Sequence, residues 1–273
     1  GIMNPENPDY KYYYPTNDLV TAPEILFFWV ARMIIAGYEY PKQKPFSNVY
    51  LHGIVRDKQR RKMSKSLGNS PDPLDLIDTY GADGVRVGML LCAPAGGDLL
   101  YDDSLPEQGR NFANKIWNAF RLVKSWDLDD SIAQPEHSTI AVQWLDAKIN
   151  DAILLLNQQF DTFRLSEALM TVYKLFWDDF SAWYLEIIKP EYQKPIDKQT
   201  YIQTLGFFKK LSLLISPFMP FITEELWQFV KDEEDVESIV LAKWPTEGEE
   251  DTNLLESFNN CTEVVAGIRN IRQ

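Results

Sequence analysis

The chain has 273 residues, of which 45% are hydrophobic and 13% aromatic, and a formal net charge of −13. This composition excludes a disordered chain and allows two domains, while the acidic balance argues against a uniformly basic nucleic-acid-binding surface. Cys92 and Cys261 lie too far apart to indicate a disulfide framework or a zinc site. No apolar run approaches the roughly 20 residues that span a bilayer, and no cationic leader is visible, so we expect a cytoplasmic protein without membrane contact.

The first hundred residues show alternating strand and helix patterns. Asp18–Val20 is a short strand candidate, and Thr21–Glu24 has the pattern of a capping box that begins a helix. The apolar run after it predicts a helix to about Ala36, with Gly37 as its end. A second strand is predicted at Val49–Val55. These signals predict an α/β region, a half-domain that lacks its first strands.

A cationic loop, Arg56–Asn69, follows the second strand and contains Lys62-Met63-Ser64-Lys65-Ser66. Helices are predicted after Asp72 and Asp83, so the loop lies between a strand and a helix, as phosphate sites do. Two ammonium groups on a short loop can bind the oxygens of a triphosphate that reacts there. Cations lower the reaction barrier when they face negative charge that grows in the transition state. The charge run alone leaves a solvated basic face open as the alternative.

The pattern changes after Pro106 to long amphipathic stretches without a strand signal, so we place a domain boundary near residues 104–107. Pro190, Pro195 and Pro217 divide this region into a bundle of about five helices. Residues 231–251 contain nine acidic residues and two lysines, which we interpret as a solvated connection. Two stripes at three- and four-residue spacing predict core positions: Leu165, Leu169, Val172, Phe176, Phe180, Trp183 and Ile187, and Leu145, Ile149, Ala152, Leu156 and Phe160.

One helix after the boundary carries a polar face opposite its apolar one. Periodicity alone favours an ordinary solvated surface for this face. Asparagine and arginine side chains can also hydrogen-bond exposed base edges and stack on bases, which leaves RNA contact as the alternative. The polar residues are Arg110, Asn111, Asn114, Lys115, Asn118 and Arg121, and the apolar ones are Phe112, Ile116, Ala119, Phe120 and Val123.

The chain resembles the class I aminoacyl-tRNA synthetases, in which Lys-Met-Ser-Lys-Ser is one of two family motifs. Within that class it looks like the valyl family. Beyond the loop, the resemblance is carried by Tyr13–Thr16, Ile25–Met33, His52–Asp57, Tyr80–Asp83, Arg110–Lys115 and Pro217–Trp227. Isoleucyl and leucyl relatives share the loop, whereas the segments Phe27–Met33 and Arg110–Lys115 favour the valyl branch.

The resemblance also implies what this segment lacks. The second class I motif, His-Ile-Gly-His, is not in the sequence, whose histidines are His52 and His137. The editing insertion and the coiled-coil arm of the valyl family are missing too, so we expect a carboxy-terminal fragment. The implied fold is α/β followed by all-α. Residues 1–105 are expected to form part of a Rossmann-like catalytic domain, 106–250 an α-helical anticodon-binding bundle, and 251–273 the start of a linker helix.

The resemblance assigns roles to individual residues. Lys62 and Lys65 are expected to be catalytic, because the family's loop lysines stabilise the pyrophosphate leaving group. ATP is expected to bind at His52, Gly53, Lys62, Met63, Ser64, Lys65 and Ser66, and the amino acid at Glu24, Ile25 and Trp29. Arg110, Asn111, Asn114, Lys115, Asn118 and Arg121 are the implied tRNA contacts. The implied partners are ATP with Mg²⁺, valine and tRNA(Val), with no zinc or other bound metal and a monomeric parent enzyme.

Two departures from the family pattern stand out. Ala22-Pro23-Glu24 replaces an expected Gly-Phe-Asp, so Glu24 either caps its helix or contacts substrate. Arg60 stands where a glycine is usual, which predicts a stiffer or differently shaped turn. Two other functions remain open from the sequence: a noncatalytic RNA-binding or assembly module, and a fragment of an isoleucyl enzyme.

Overall fold

The computed structural model describes residues 4, 6–91, 97–248 and 251–271. The chain divides into two units, of which the first contains residues 1–71 and 92–102 and the second contains 72–91 and 103–273. The boundary predicted from the sequence, near residues 104–107, lies close to residue 103, where the chain enters the second unit for the last time. The prediction places residues 72–91 in the first domain, whereas in the structure they belong to the second, helical unit.

The first unit is built on short parallel strand pairs. Strand β1 pairs with β2 from Thr16↔Phe46 to Thr21↔Leu51, and β3 pairs with β4 at Val55↔Leu99 and Arg56↔Leu100. The predicted single strand at Val49–Val55 is therefore two strands, interrupted after Leu51. The regular elements are α1 (Pro8–Tyr13), β1 (Thr16–Thr21), α2 (Ala31–Glu39), β2 (Phe46–Leu51), β3 (Val55–Arg56) and β4 (Leu99–Leu100), with a 3₁₀ turn at Pro23–Ile25 and π-helical turns at Leu26–Val30 before α2.

Both predicted ends of the α2 segment are wrong. Thr21 belongs to β1, and Ala22 is the residue that precedes the helical turns, without a side-chain cap. The helix continues through Gly37 to Glu39. A Cβ atom at Gly37 would lie 2.9 Å from the Gln43 carbonyl oxygen, so the glycine permits close backbone approach rather than ending the helix.

The second unit contains the main hydrophobic core of the described residues. Its core is lined by fully buried aromatic side chains, including Phe112, Trp144, Phe180 and Phe208. The regular elements are α3 (Pro73–Tyr80), α4 (Ala82–Leu91), α5 (Ser104–Lys124), β5 (Leu128–Asp129), α6 (Glu136–Asp161), α7 (Leu165–Lys174), α8 (Leu185–Ile188), β6 (Ile196–Asp197), α9 (Lys198–Ile215), α10 (Pro220–Val230) and α11 (Thr252–Ile271), with π-helical turns at Leu175–Tyr184 and a 3₁₀ turn at Ile239–Leu241.

The predicted stripe that starts on α7 is confirmed from Leu169 to Phe180, with Leu165 half-buried, and then shifts by one residue. Tyr184 and Ile188 are buried where the 3.6-residue spacing places Trp183 and Ile187, which are only half-buried. The π-helical turns explain the shift, because each turn holds more than four residues and rotates the buried face. The α6 stripe is confirmed as predicted, with its last member, Phe160, half-buried.

Helix α4 explains why residues 72–91 join the bundle. The buried carboxylate of Asp83 accepts hydrogen bonds from the backbone N–H groups of Phe221 and Ile222 at the start of α10. Burial raises the pKa of Asp83, and these two N–H donors oppose that rise. Arg86 donates to the carbonyl oxygen of Phe218 at 3.1 Å. Sequence periodicity has no means of detecting such contacts across more than 130 residues.

The last helix, α11, packs on α6 by an aromatic stack. The rings of Phe258 and Trp144 have centroids 4.0 Å apart and nearly parallel planes. The guanidinium of Arg269 lies 5.3 Å from the ring of Trp183. The segment 251–271, expected to start a linker, is therefore packed on the bundle.

Candidate functional site

The cationic loop begins after β3 and is organised around one carboxylate. Asp57 accepts hydrogen bonds from the backbone N–H groups of Gln59 and Arg61, from Nε of Arg61 at 2.7 Å, and from Nδ2 of Asn69 at 2.9 Å. These donors, Asn69 foremost, lower the pKa of Asp57 to about 2. Asp57 is therefore ionised at neutral pH and holds both ends of the loop together.

The central turn of the loop is held by Asn69 and two serines. Asn69 Oδ1 accepts a hydrogen bond from the backbone N–H of Ser64 at 2.9 Å, and the hydroxyls of Ser64 and Ser66 are 2.7 Å apart. The backbone N–H of Ser66 donates to Ser64 Oγ, which begins the 3₁₀ turn Lys65–Leu67. Gly68 ends the turn at a φ of 64°, where glycine carries no steric penalty. The serines shape the turn that presents Lys65.

The two lysines of the loop differ in their surroundings. Lys62 Nζ lies 2.7 Å from Glu24 Oε2, and its side chain is 62% exposed. Lys65 is exposed on the turn and takes part in no ion pair among the described residues. Met63, between them, is half-buried. One ammonium group is thus held by a carboxylate, and the other faces solvent.

Arg60 occupies a left-handed backbone position at a φ of 63°. Its N–H donates to the Asp57 carbonyl oxygen at 2.8 Å, which closes a tight turn at the base of the loop. A residue with a Cβ atom is strained there, and glycine is not, which explains why a glycine suits this position. The predicted difference in turn shape remains a prediction.

His52 and Gly53 connect β2 to β3. The exposed His52 ring has Nδ1 2.9 Å from the Gly53 carbonyl oxygen. A Cβ atom at Gly53 would lie 1.7 Å from the Gly97 carbonyl oxygen, so only glycine fits there. Ile54 N–H donates to Asp98, which also pairs with Arg56, and both contacts lower the pKa of Asp98. Binding of ATP by His52 and Gly53 stays a prediction.

The predicted amino-acid-binding residues lie on the turns before α2. Glu24 does not cap the helix, so that alternative is wrong, and it pairs with Lys62 instead. Ile25 is 38% exposed and Trp29 59% exposed. Sequence spacing missed the Glu24–Lys62 contact because 38 residues separate the two side chains.

The polar and apolar faces of α5 are arranged as predicted. Phe112, Ile116, Ala119, Phe120 and Val123 are buried, whereas Asn111, Asn114, Asn118 and Arg121 are exposed. Arg110 donates to the Thr79 carbonyl oxygen at 3.3 Å. Lys115 lies 5.4 Å from the centroid of the Trp177 ring. Two of the six predicted tRNA contacts thus have partners inside the bundle.

A groove of about 640 Å³ lies between α6, α9 and the start of α11. Its polar lining includes Gln143, Asn150, Gln203 and an ion pair in which Lys210 Nζ is 2.6 Å from Asp146 Oδ1. The sequence analysis did not identify this groove. Its residues come from helices far apart in the chain, and none of them forms a recognisable motif.

Metal and membrane signals are absent from the part of the chain that the structure describes. No three or more His, Cys, Asp or Glu side chains there are grouped so that they could hold a metal ion. None of its helices has the length and apolarity that crossing a membrane requires.

Two family models match the chain. The model for class I tRNA synthetases of the isoleucyl, leucyl, methionyl and valyl type matches residues 1–102, and the model for the anticodon-binding domain of tRNA ligases matches residues 142–273. Helix α5, with the predicted tRNA-binding face, lies between the two matches. The groove of α6, α9 and α11 lies within the second.

Similar proteins are valine–tRNA ligases. The chain is 61% identical over 272 residues to that of Parabacteroides distasonis and 43% identical over 273 residues to that of Thermotoga maritima, covering 100% and 98% of this chain. It spans 31% of the length of each.

Solved structures of class I synthetases share the fold. A leucyl-tRNA synthetase from Agrobacterium radiobacter in a ternary complex with tRNA and LeuAMS has a TM-score of 0.63 at 20% identity, covering 88% of this chain and 29% of that one. A Mycobacterium tuberculosis methionyl-tRNA synthetase bound by methionyl-adenylate has a TM-score of 0.60 at 22% identity, covering 81% and 46%. The α/β-then-α fold expected from the sequence is confirmed.

Proposed function

Because this chain belongs to the class I tRNA synthetases, on the valine–tRNA ligase branch, we propose that it supplies the phosphate loop and anticodon recognition to an ATP-dependent valine–tRNA ligase. The activity is proposed for a longer protein that contains this segment together with the parts of its relatives that this chain does not span. The observation that carries the proposal is the loop itself, in which Asp57 and Asn69 fix the base and Lys62 and Lys65 are presented from it.

The chemistry follows from the charges of this loop. The valine carboxylate attacks the α-phosphate of ATP, forming valyl-adenylate and releasing pyrophosphate. A hydroxyl of the terminal ribose of tRNA(Val) then attacks the acyl carbon, so that an ester forms and AMP leaves. Negative charge grows on the departing pyrophosphate, and Lys62 and Lys65 stabilise it. Ser64 and Ser66 give the turn its shape, so that the loop presents both ammonium groups on one short segment. Magnesium accompanies the ATP phosphates and neutralises part of their charge.

The amino-acid site is proposed at the turns before α2. Ile25 and Trp29 offer apolar walls, and their exposure is consistent with a pocket completed by other parts of the longer protein. Glu24 offers a carboxylate to the substrate ammonium. An apolar pocket discriminates against one methylene by only about 10- to 200-fold. Rejection of smaller or isosteric competitors therefore needs a step in addition to binding in this pocket.

Recognition of tRNA is proposed for the helical unit. Asn111, Asn114, Asn118 and Arg121 on α5 are exposed and able to contact RNA. Residues 142–273 match an anticodon-binding domain, which favours the region around the groove for the anticodon and α5 for another part of the tRNA. We propose that the enzyme acts as a monomer in the cytoplasm, without a zinc ion in this segment.

The first experiment is amino-acid-dependent pyrophosphate exchange by the longer protein. Exchange that depends on valine, and is at least about tenfold weaker with isoleucine, is expected from the discrimination limits of a close-fitting pocket. Exchange with isoleucine but not valine would assign the isoleucyl branch. No exchange with either, together with tight tRNA binding, would assign the noncatalytic module.

The noncatalytic alternative concerns this segment alone. The bundle has its own extended core, whereas few large apolar side chains of the first unit are buried. Fluorescence anisotropy of the chain with tRNA(Val), and with a transcript altered only in the anticodon, at about 0.1 M salt tests autonomous recognition. Tighter binding to the unaltered anticodon supports it, and equal binding contradicts it.

A further inference from the structure

The ion pair between Glu24 and Lys62 joins two sites that the proposed function keeps apart. Glu24 lies on the turn Pro23–Ile25, beside the proposed amino-acid pocket, and Lys62 lies on the phosphate loop. Their charged atoms are 2.7 Å apart, and both side chains are about half exposed. The phosphate-binding lysine is therefore tied to the carboxylate proposed for the substrate ammonium.

Three other cations of the loop have carboxylate partners. Arg61 pairs with Asp57, and Arg56 pairs with Asp98 on the segment that leads to β4. Lys58 pairs with Asp102. These three cations lie within the first six residues of the loop, and none of their carboxylate partners belongs to the proposed amino-acid site. Lys62 differs because its partner, the Glu24 carboxylate, lies beside the proposed amino-acid site. Movement of Lys62 toward phosphate therefore requires this pair to break.

We propose that Glu24 is a shared acceptor that couples amino-acid binding to release of the phosphate loop. With the amino-acid site empty, Glu24 holds Lys62. When substrate binds, its ammonium takes over the Glu24 carboxylate, and Lys62 becomes available to the triphosphate. This inference rests on the proposed function, and it adds an order to it: the amino acid strengthens the binding of ATP.

The energetics permit such an exchange. Ion pairs between exposed side chains are weak, so a substrate ammonium held by further contacts in its pocket can displace Lys62. The coupling arises because substrate binds better to the state in which Glu24 is free of lysine, and a ligand shifts an equilibrium only by such a difference. Arg56 lies near enough to Glu24 for their opposite charges to attract, which adds positive potential around this carboxylate.

The Glu24–Lys62 ion pair, called the tether below, is tested on this chain by acetylation of its amines followed by mass spectrometry. Glu24→Gln removes the negative charge at almost constant shape, and labelling of Lys62 relative to Lys65 is expected to rise about two- to fivefold, the scale of an exposed ion pair. Glu39→Gln is the matched control, because it removes an exposed carboxylate that pairs with Lys42 in the same unit. An unchanged Lys62 to Lys65 ratio in Glu24→Gln would overturn the tether.

The coupling is tested in the longer protein, with valinol as an unreactive probe that keeps the ammonium group. Valinol is expected to raise Lys62 labelling and to tighten ATP binding about two- to fivefold, whereas 3-methylbutan-1-ol, which lacks the amine, does neither. In Glu24→Gln, ATP binding without amino acid is expected to be tighter already and insensitive to valinol. Loss of valine affinity alone, with ATP binding unchanged, would reduce Glu24 to a substrate contact and overturn the coupling.

These outcomes separate the inference from the proposed function. A protein that catalyses valine-dependent exchange but shows no response of ATP binding to valinol has the function without the coupling. A protein that shows no exchange with any amino acid loses the function. The Glu24→Gln labelling result then still decides whether the tether exists.

Discussion

The two units of this molecule are stabilised in different ways. In the second, Phe180 is fully buried with its ring centroid 4.9 Å from that of Phe208, and an extended aromatic core surrounds it. In the first, Phe27 is 84% exposed and Phe28 66% exposed. Hydrophobic burial stabilises the bundle, whereas charged hydrogen bonds around Asp57 stabilise the cationic loop.

This difference matches what each unit is proposed to do. A rigid bundle presents a constant surface to RNA, and a rigid surface loses less entropy on binding. A loop that closes over phosphate needs weak contacts that exchange with ligand, and exposed ion pairs provide them.

The largest expected effect distinguishes the two cores. Phe180→Ala should lower the free energy of unfolding of the second unit by about 3–5 kcal/mol, because it leaves a cavity among packed rings. The matched change Phe27→Ala, at an exposed ring, should alter the stability of the first unit by less than about 0.5 kcal/mol. Urea titration with hydrogen exchange read separately for each unit measures both. Equal losses would show that the contrast in burial has no energetic counterpart. If Phe180→Ala fails to fold, Phe180→Leu provides a milder version.

The next effect distinguishes chemistry from RNA binding. Lys62→Ala and Lys65→Ala in the longer protein should each lower the rate of valine-dependent pyrophosphate exchange by about 10²- to 10³-fold, because each removes a charge aimed at the leaving group. Binding of tRNA should change little. Lys58→Ala is the control, since Lys58 pairs with Asp102 at the base of the loop. A loss of tRNA affinity equal to the loss of exchange would contradict a division of labour between the units.

A smaller effect concerns the electrostatic anchor of the loop. The pKa of Asp57 is about 2 in the folded chain, below its ordinary value of 3.8. A lowered pKa stabilises the loop above pH 4, and this contribution disappears as the pH falls toward 2. Asn69→Ala removes the leading cause and should raise the pKa of Asp57 toward its ordinary value. Carboxyl NMR titration measures this change, with Asp98, whose pKa depends on Arg56, as the internal reference. An unchanged Asp57 value would mean that Arg61 alone sets it.

The smallest effect concerns backbone strain. Arg60→Gly should relieve the left-handed strain, worth about 1–2 kcal/mol, and lose about half of that gain to about 0.5–1 kcal/mol of extra chain entropy. The net result is slower hydrogen exchange across residues 57–69 by a small factor. Gln59→Gly, at a position without positive φ, should speed exchange instead. Identical behaviour of the two variants would show that strain at Arg60 does not limit the loop.

Local patterns identified the elements that depend on nearest neighbours. The strand at β1, the helix that begins after Asp72 and the core face of α5 follow from side-chain period and capping, and all are present. The errors occur where distant groups decide. Gly37 does not end α2 because Gln43 and Pro45 pack against it, and Trp183 is not fully buried because π-helical turns rotate the face before it.

The sequence by itself determined the fold class, the family and the loop with its two lysines, because these depend on residue types at fixed short spacings. Only the tertiary structure decided that residues 72–91 join the bundle, that Asp57 anchors the loop and that Glu24 holds Lys62. The first and the last depend on polar or charged atoms from distant parts of the chain meeting at about 3 Å, the range in which hydrogen bonds and ion pairs form. The contacts of Asp57 join residues at most 12 positions apart, and the shape of the loop decides which of them meet. Short-range periodicity carries no information about such meetings, since folding alone brings the partners together.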